Sequence, residues 1–170
     1  MRTSLEEETI MSKIRPCIWM ENKNAEEAMA FYKTVFPVFE ERGIWQTPSD
    51  TPGNKEGDVV TVEFRIFDQE FILLNGGPYF QLTEAISFEI MCEDQAEVDY
   101  YWEKLTADGG EESQCGWLKD KFGLSWQVVP KRFYELITDP DVGRRKRTMD
   151  AMFEMQKLIV ADLEAAADAS

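Results

Sequence analysis

The chain has 170 residues, 44% of them hydrophobic, enough for one well-buried core or for two small modules that share one. Its 33 acidic and 18 basic residues leave a net charge of −15, which argues against nucleic acid as a partner, because phosphate backbones are met with Lys and Arg. No apolar run approaches the roughly 18 to 20 residues of a membrane span. The start of the chain carries Glu6-Glu7-Glu8 where a secretory signal has a basic segment and an apolar block, so the cytoplasm is the expected compartment. Cys17, Cys92 and Cys115 are scattered and suggest neither a disulfide framework nor a thiolate zinc site.

Residues 1–12 are polar and aperiodic and read as a flexible, frayed extension. From Ile14 to Met20, Ile18 and Met20 alternate with Arg15, Cys17 and Trp19, the period of a strand. A helix follows to about Phe36, where Pro37 stops it. Its start is a predicted capping box of Asn24 and Glu27, and its apolar stripe is Ala28, Phe31, Tyr32 and Val35. Residues 38–46 fit a short strand. Thr47 to Gly57, with two prolines and two glycines, reads as a mobile loop. Val59 to Phe67 alternates cleanly and pairs through a turn at Asp68-Gln69 with Phe71 to Asn75, forming a hairpin that Gly76-Gly77-Pro78 ends.

The pattern then repeats at an offset of 70 positions, with Asp94 and Glu97 for Asn24 and Glu27, and Val98, Tyr101, Trp102 and Leu105 for the stripe. Glu84 to Cys92 is the expected strand before that helix, and Gly109-Gly110 supplies its left-handed exit. Strands near Glu112 to Cys115, Trp117 to Lys121 and Ser125 to Val129 complete the copy. After Pro130 the spacing turns helical, over Lys131 to Ile137 and again behind Asp139-Pro140, read as a cap with proline at the first helical position. Met149, Met152, Phe153, Gln156, Ile159, Val160 and Leu163 keep helical intervals, as a Met-rich helix for a partner subunit or for its own domain. The fold class is therefore α+β, with βαβββ modules over 14–78 and 84–130 in a domain over 13–130, and a helical segment over 131–170.

Asn75-Gly76-Gly77-Pro78, Glu84-Ala85-Ile86-Ser87-Phe88, and Gly116-Trp117-Leu118-Lys119-Asp120-Lys121-Phe122-Gly123-Leu124-Ser125-Trp126-Gln127 resemble the PhnB-like group of the vicinal oxygen chelate superfamily. That superfamily includes glyoxalase I, bleomycin-resistance proteins and extradiol dioxygenases. The resemblance spans about Ile14 to Leu163. It implies a curved, cup-shaped sheet built from the two modules, a homodimer, and a small-molecule ligand in the concavity. The group often carries the label 3-demethylubiquinone methyltransferase, to which the sequence lends no support. A methyltransferase needs a Gly-rich turn between strand and helix for its nucleoside cofactor, whereas the two Gly-Gly pairs here end a hairpin and a helix.

The superfamily's metal enzymes place His or Glu on four cup-facing strands, and this chain has no histidine. The resemblance puts the ligand positions near Cys17, Leu73 or Asn75, Ala85 or Ser87, and Gln127, a set without a carboxylate, so no metal or other cofactor is expected. Without histidine a nucleophilic triad is missing its usual base, and Cys17 reads as a small strand residue before it reads as a nucleophile.

Strand parity turns Arg15, Cys17, Trp19, Thr61, Glu63, Arg65, Asn75, Ser87, Glu89 and Gln127 toward the cup. Glu89, on a central strand, is the candidate catalytic residue, placed to take and return a proton. Carboxylate–arginine pairing is the alternative reading, and unpaired arginines would instead clamp an anion. Arg144-Arg145-Lys146-Arg147 is either an anion site or a solvated basic helix face. The expected function is metal-free binding of a small polar or anionic organic molecule. Proton transfer by Glu89 in a lyase or isomerase step, a metal-dependent glyoxalase- or dioxygenase-like activity and a pure interaction module are the alternatives, so catalysis stays open.

Overall fold

The computed structural model describes residues 13–169, so the extension expected over 1–12 lies outside the described residues. The chain divides into two compact units, with the boundary between Gln81 and Leu82.

The first unit holds β1 (Cys17–Trp19), α1 (Ala25–Val35), β2 (Phe39–Gln46), β3 (Val59–Ile66) and β4 (Gln69–Leu74). Its sheet runs in the order β1-β4-β3-β2, with β1 parallel to β4 and the other pairs antiparallel. Parallel neighbours cannot be joined by a tight hairpin; here α1 belongs to the long connection between them. Alternation on β3 buries Val62, Phe64 and Ile66 and leaves Thr61, Glu63 and Arg65 half-buried on the other face. Phe64 stacks between Phe39 and Phe71, at centroid distances of 5.2 and 5.5 Å, and meets the buried Tyr32 of α1 at 5.9 Å.

The second unit repeats this with β5 (Phe88–Cys92), α2 (Gln95–Thr106), β6 (Glu111–Glu112), β7 (Trp117–Lys119) and β8 (Ser125–Pro130). Its sheet order is β5-β8-β7-β6, again with the first and last strands parallel. Identical strand order and orientation around a helix 70 residues further on is the structural form of the duplication. The fold is α+β, two βαβββ modules each with one four-stranded mixed sheet, and neither sheet closes into a barrel among the described residues. Three helices follow, α3 (Lys131–Ile137), α4 (Val142–Phe153) and α5 (Val160–Asp168). Phe133, Leu136, Met152, Leu158, Leu163 and Ala167 bury against Val129, with Met149 and Met155 packed around them, so the methionines serve the chain's own unit. No helix among the described residues is long and apolar enough to cross a membrane.

Several boundaries depart from the sequence expectation. Regular pairing of the first strand is confined to Cys17–Trp19; Ile14 lies exposed, and the ladder is extended by the Pro16 carbonyl, accepting from Ile72 N, and by Met20 N, donating to the Leu74 carbonyl. The fifth strand begins at Phe88, and Ile86 before it is exposed. At the start of α1 the Asn24 side chain makes no cap hydrogen bond. Its second-unit counterpart does: Asp94 accepts from Glu97 N at 3.0 Å, and Glu97 accepts from Glu93 N at 2.8 Å. The cap of α4 is Asp141, accepting from Gly143 and Arg144 N, whereas Asp139 accepts from Asp141 N one turn earlier.

The helical spacing over 149–163 does not form one helix. The carbonyls of Met155 and Gln156 accept from Cys115 and Gly116 N, both at 2.7 Å, and this strand-like contact breaks the chain between α4 and α5. Three of the four residues in the basic run are engaged by the fold as well. Arg144 pairs with Asp139 and Asp168, Lys146 with Asp150, and Arg147 donates to the Ala166 and Ala167 carbonyls at the end of α5.

Candidate functional site

In each unit the helix covers one sheet face and leaves the polar set on the other. On the open face of the first unit, Arg15 donates to Glu63 at 2.7 Å and lies 3.9 Å from Glu70. Arg65 pairs with Glu40 at 2.7 Å, and Arg42 with the same carboxylate at 2.8 Å. Both arginines that parity turned toward this face are thus occupied by carboxylates. Glu70 is buried with one carboxylate oxygen lacking a hydrogen-bond partner.

Cys17 is exposed, yet burial pushes its thiol above the usual range while Arg15 pulls the other way. That thiol is a poor nucleophile at neutral pH. Trp19 is fixed in place: its indole N–H donates to the Gly77 carbonyl at 2.7 Å and Phe80 packs edge-on at 4.9 Å. Gly76 makes that seat possible, because a Cβ there would stand 2.1 Å from the indole. Thr61 is half-buried opposite Leu74 and Trp45. Asn75 turns inward and is 5% exposed; its Oδ1 accepts from Ala25 N at 2.9 Å and its Nδ2 donates to the Val59 carbonyl at 3.0 Å.

In the second unit the polar residues form one cluster. Glu89 and Gln127 face each other in register across β5 and β8, with β5 at the edge of its four-stranded sheet rather than the central strand expected for Glu89. Gln127 Nε2 donates to Ser87 Oγ at 2.9 Å, and the Tyr134 hydroxyl, from α3, donates to Glu89 Oε2 at 2.6 Å. That bond to a carboxylate, followed by burial, pushes Tyr134 up to about 12, so the phenol keeps its proton at neutral pH. Tyr134 was not legible as a site residue, since nothing in the spacing of α3 marks it.

Beside this cluster lies a cleft of about 370 Å³, lined by Glu84, Glu111, Glu112, Ser113, Trp117, Leu118, Lys119 and Ser125. Glu84 and Lys119 form an ion pair. Lys119 holds the Glu84 carboxyl below its usual range, and Glu84 in turn raises Lys119. Extending the alternation from Gln127 to Ser125, and from Trp117 to Lys119, would have found these residues, because they share a face in register.

The residues that the resemblance puts near metal-ligand positions do not together fit a divalent cation. Leu73 is fully buried, the Asn75 amide is engaged on both sides, and Gln127 is bonded to Ser87, which leaves the Cys17 thiol alone. Among the described residues no three His, Cys, Asp or Glu side chains converge as ligands.

A family model described as 3-demethylubiquinone-9 3-methyltransferase matches residues 12–129. A PhnB protein from Bacillus cereus is 34% identical, with a TM-score of 0.61 over 70% of this chain and 99% of that one. A protein from Pseudomonas aeruginosa shares the fold at 17% identity and a TM-score of 0.56, over 71% of this chain and 98% of that one. The fosfomycin resistance protein FosX from Listeria monocytogenes, complexed with Mn(II) and sulfate, reaches 18% identity and a TM-score of 0.46 over 71% of this chain and 90% of that one. No curated protein matches the chain. The methyltransferase description finds no support in the glycine pairs, since Gly76-Gly77 follows β4 under Trp19 and Gly109-Gly110 follows α2.

Proposed function

This chain belongs to the 3-demethylubiquinone-9 3-methyltransferase family, in its PhnB-like branch with the glyoxalase and bleomycin-resistance fold, and from that premise we propose that it binds a small polar organic molecule on the open faces of its sheets, without a catalytic metal, as a cytoplasmic homodimer. Residues 13–130 carry most of the binding function, and the helical segment that follows contributes Tyr134 to it. The observation that carries this reading is the grouping of Ser87 with Gln127 and of Glu89 with Tyr134, two hydrogen-bonded polar pairs brought together by the register of Glu89 with Gln127, with Glu89 still exposed. A face serving only as packing would bury apolar side chains there.

Arg15 and Arg65 are already paired, so an anion would have to displace Glu63 or Glu40, and a neutral or mixed polar ligand is favoured over an anionic one. The test is native mass spectrometry of protein purified under mild conditions. A retained small molecule in the wild type that is lost in Gln127→Ala supports the proposal. Retention that Gln127→Ala and Glu89→Ala leave untouched overturns it. Light scattering on the same samples checks the dimer, and a monomer at all concentrations would remove that part.

A second reading, a lyase or isomerase step with Glu89 as the proton carrier, is favoured by the 2.6 Å contact with the protonated Tyr134 hydroxyl. Such a group exchanges protons with a substrate within hydrogen-bond reach. Glu89→Gln would then preserve affinity while abolishing product, and equal loss of both would sink the catalytic version.

A further inference from the structure

We infer that the cleft between the Glu84 turn and strands β6, β7 and β8 is a seat for an organic cation, a primary ammonium or guanidinium group. This rests on the binding function proposed above and assigns the charge of one ligand group. Four side chains of the lining are ionisable, Glu84, Glu111, Glu112 and Lys119, three negative and one positive. Lys119, the sole cation among them, is neutralised by Glu84. Glu112 is turned to the helix side, where its carboxylate accepts from Trp102 Nε1 at 2.8 Å. Glu111 faces Lys119 in register and adds to the pull on that ammonium, but makes no direct ion pair among the described residues. An anion entering here would have to break the Glu84–Lys119 pair and lie beside Glu111.

Ser125 supplies the independent observation. It is 1% exposed, its hydroxyl has no hydrogen-bond partner, and it lines the same cleft directly opposite Lys119. A buried hydroxyl left unpaired is costly, and an N–H donor from a ligand in the cleft would satisfy its oxygen. Trp117 lies two residues along β7 from Lys119 on the same sheet face. Its indole offers the negative π-face over which ammonium and guanidinium groups settle. The chain's net charge of −15 raises the local concentration of cations around it.

The test is titration of the 15N-labelled full chain with butylammonium, butylguanidinium, butyrate and butanol, read at the Trp117 indole and the Lys119 and Ser125 amides. Saturable shifts with the two cations, weakened about tenfold in Glu111→Gln, are expected from the loss of one charge-assisted contact. Ser125→Ala should weaken the cations and raise the melting temperature of the unliganded protein, a pairing of effects that general damage would not produce. Butyrate shifting these resonances as strongly as the cations, or Glu111→Gln leaving cation affinity unchanged, overturns the charge assignment while sparing the binding function. Silence with all four probes at these positions overturns the seat, and the mass-spectrometric retention test above separately decides the binding function.

Discussion

The side-chain oxygen of Asn75 accepts from the backbone N–H of Ala25 at 2.9 Å, so the first turn of α1 is capped from the far end of β4 by a residue 50 positions away. The same amide donates to the Val59 carbonyl, tying the helix start to two strands at once. Asn75→Ala is expected to leave a buried N–H and a carbonyl unpaired and cost about 2–4 kcal/mol. Asn24→Ala, at the position the sequence marks as the cap, should cost under about 0.5 kcal/mol, because its side chain makes no cap bond. Urea midpoints of the two variants decide between them, and equal losses would contradict the assignment.

Asp120 explains why the string from Lys119 to Trp126 is so specific in sequence. Its Oδ1 accepts from Phe122 N at 2.9 Å and Leu124 N at 3.1 Å, and its Oδ2 accepts from the Trp126 indole N–H at 2.9 Å, with the residue 2% exposed. Gly123 turns the chain between those donors at φ 84°, a conformation that side chains resist. Asp120→Ala should destabilise the second unit by about 3 kcal/mol or more. Asp120→Asn should cost less, since it retains the oxygen facing the turn, and its remaining cost comes from the amide NH2 that would meet the indole N–H donor to donor. Chemical denaturation followed by tryptophan fluorescence measures both, and a neutral Asp120→Ala would refute the structural role.

Stability should fall in alkali. Burial pushes the Cys92 thiol up to about 12 from 9.0, and burial followed by Glu97 pushes Tyr101 up to about 12 from 10.0. The hydrogen bond to Glu89 does the same to Tyr134. Each group is neutral when protonated and holds its proton longer in the folded state, so above about pH 9 the unfolded chain binds fewer protons than the native one. The stabilisation is therefore fully present below about pH 9 and is lost as pH rises toward about 12. Urea midpoints measured across that range should decline, less steeply in Tyr134→Phe, and a flat profile would contradict these shifts.

Much of the fold was legible in the residues because helix and strand periods are local. Ala28, Phe31, Tyr32 and Val35 repeat at Val98, Tyr101, Trp102 and Leu105, and all but the half-buried Phe31 are buried as the spacing required. The same alternation separates Glu63, Arg65, Glu89 and Gln127 from the buried neighbours on their strands. The break between α4 and α5 was not visible, because it is made by Cys115 and Gly116 reaching the Met155 and Gln156 carbonyls from 40 positions back. Tyr134 escaped notice for a similar reason, being brought to Glu89 only by the return of α3 along the end of β8.

What the chain alone determined is the doubled βαβββ module, the apolar stripe that each helix buries, and a donor inventory without histidine. These are properties of neighbours a few positions apart, where geometry leaves little choice. The tertiary structure decided which partner each polar group takes: Arg15 with Glu63, Glu89 with Tyr134, Asn75 with Ala25, Glu84 with Lys119. Those pairings lie 35 to 50 positions apart in the sequence. A buried or half-buried polar group takes whatever donor or acceptor packing brings within about 3 Å, and periodicity carries no information about that.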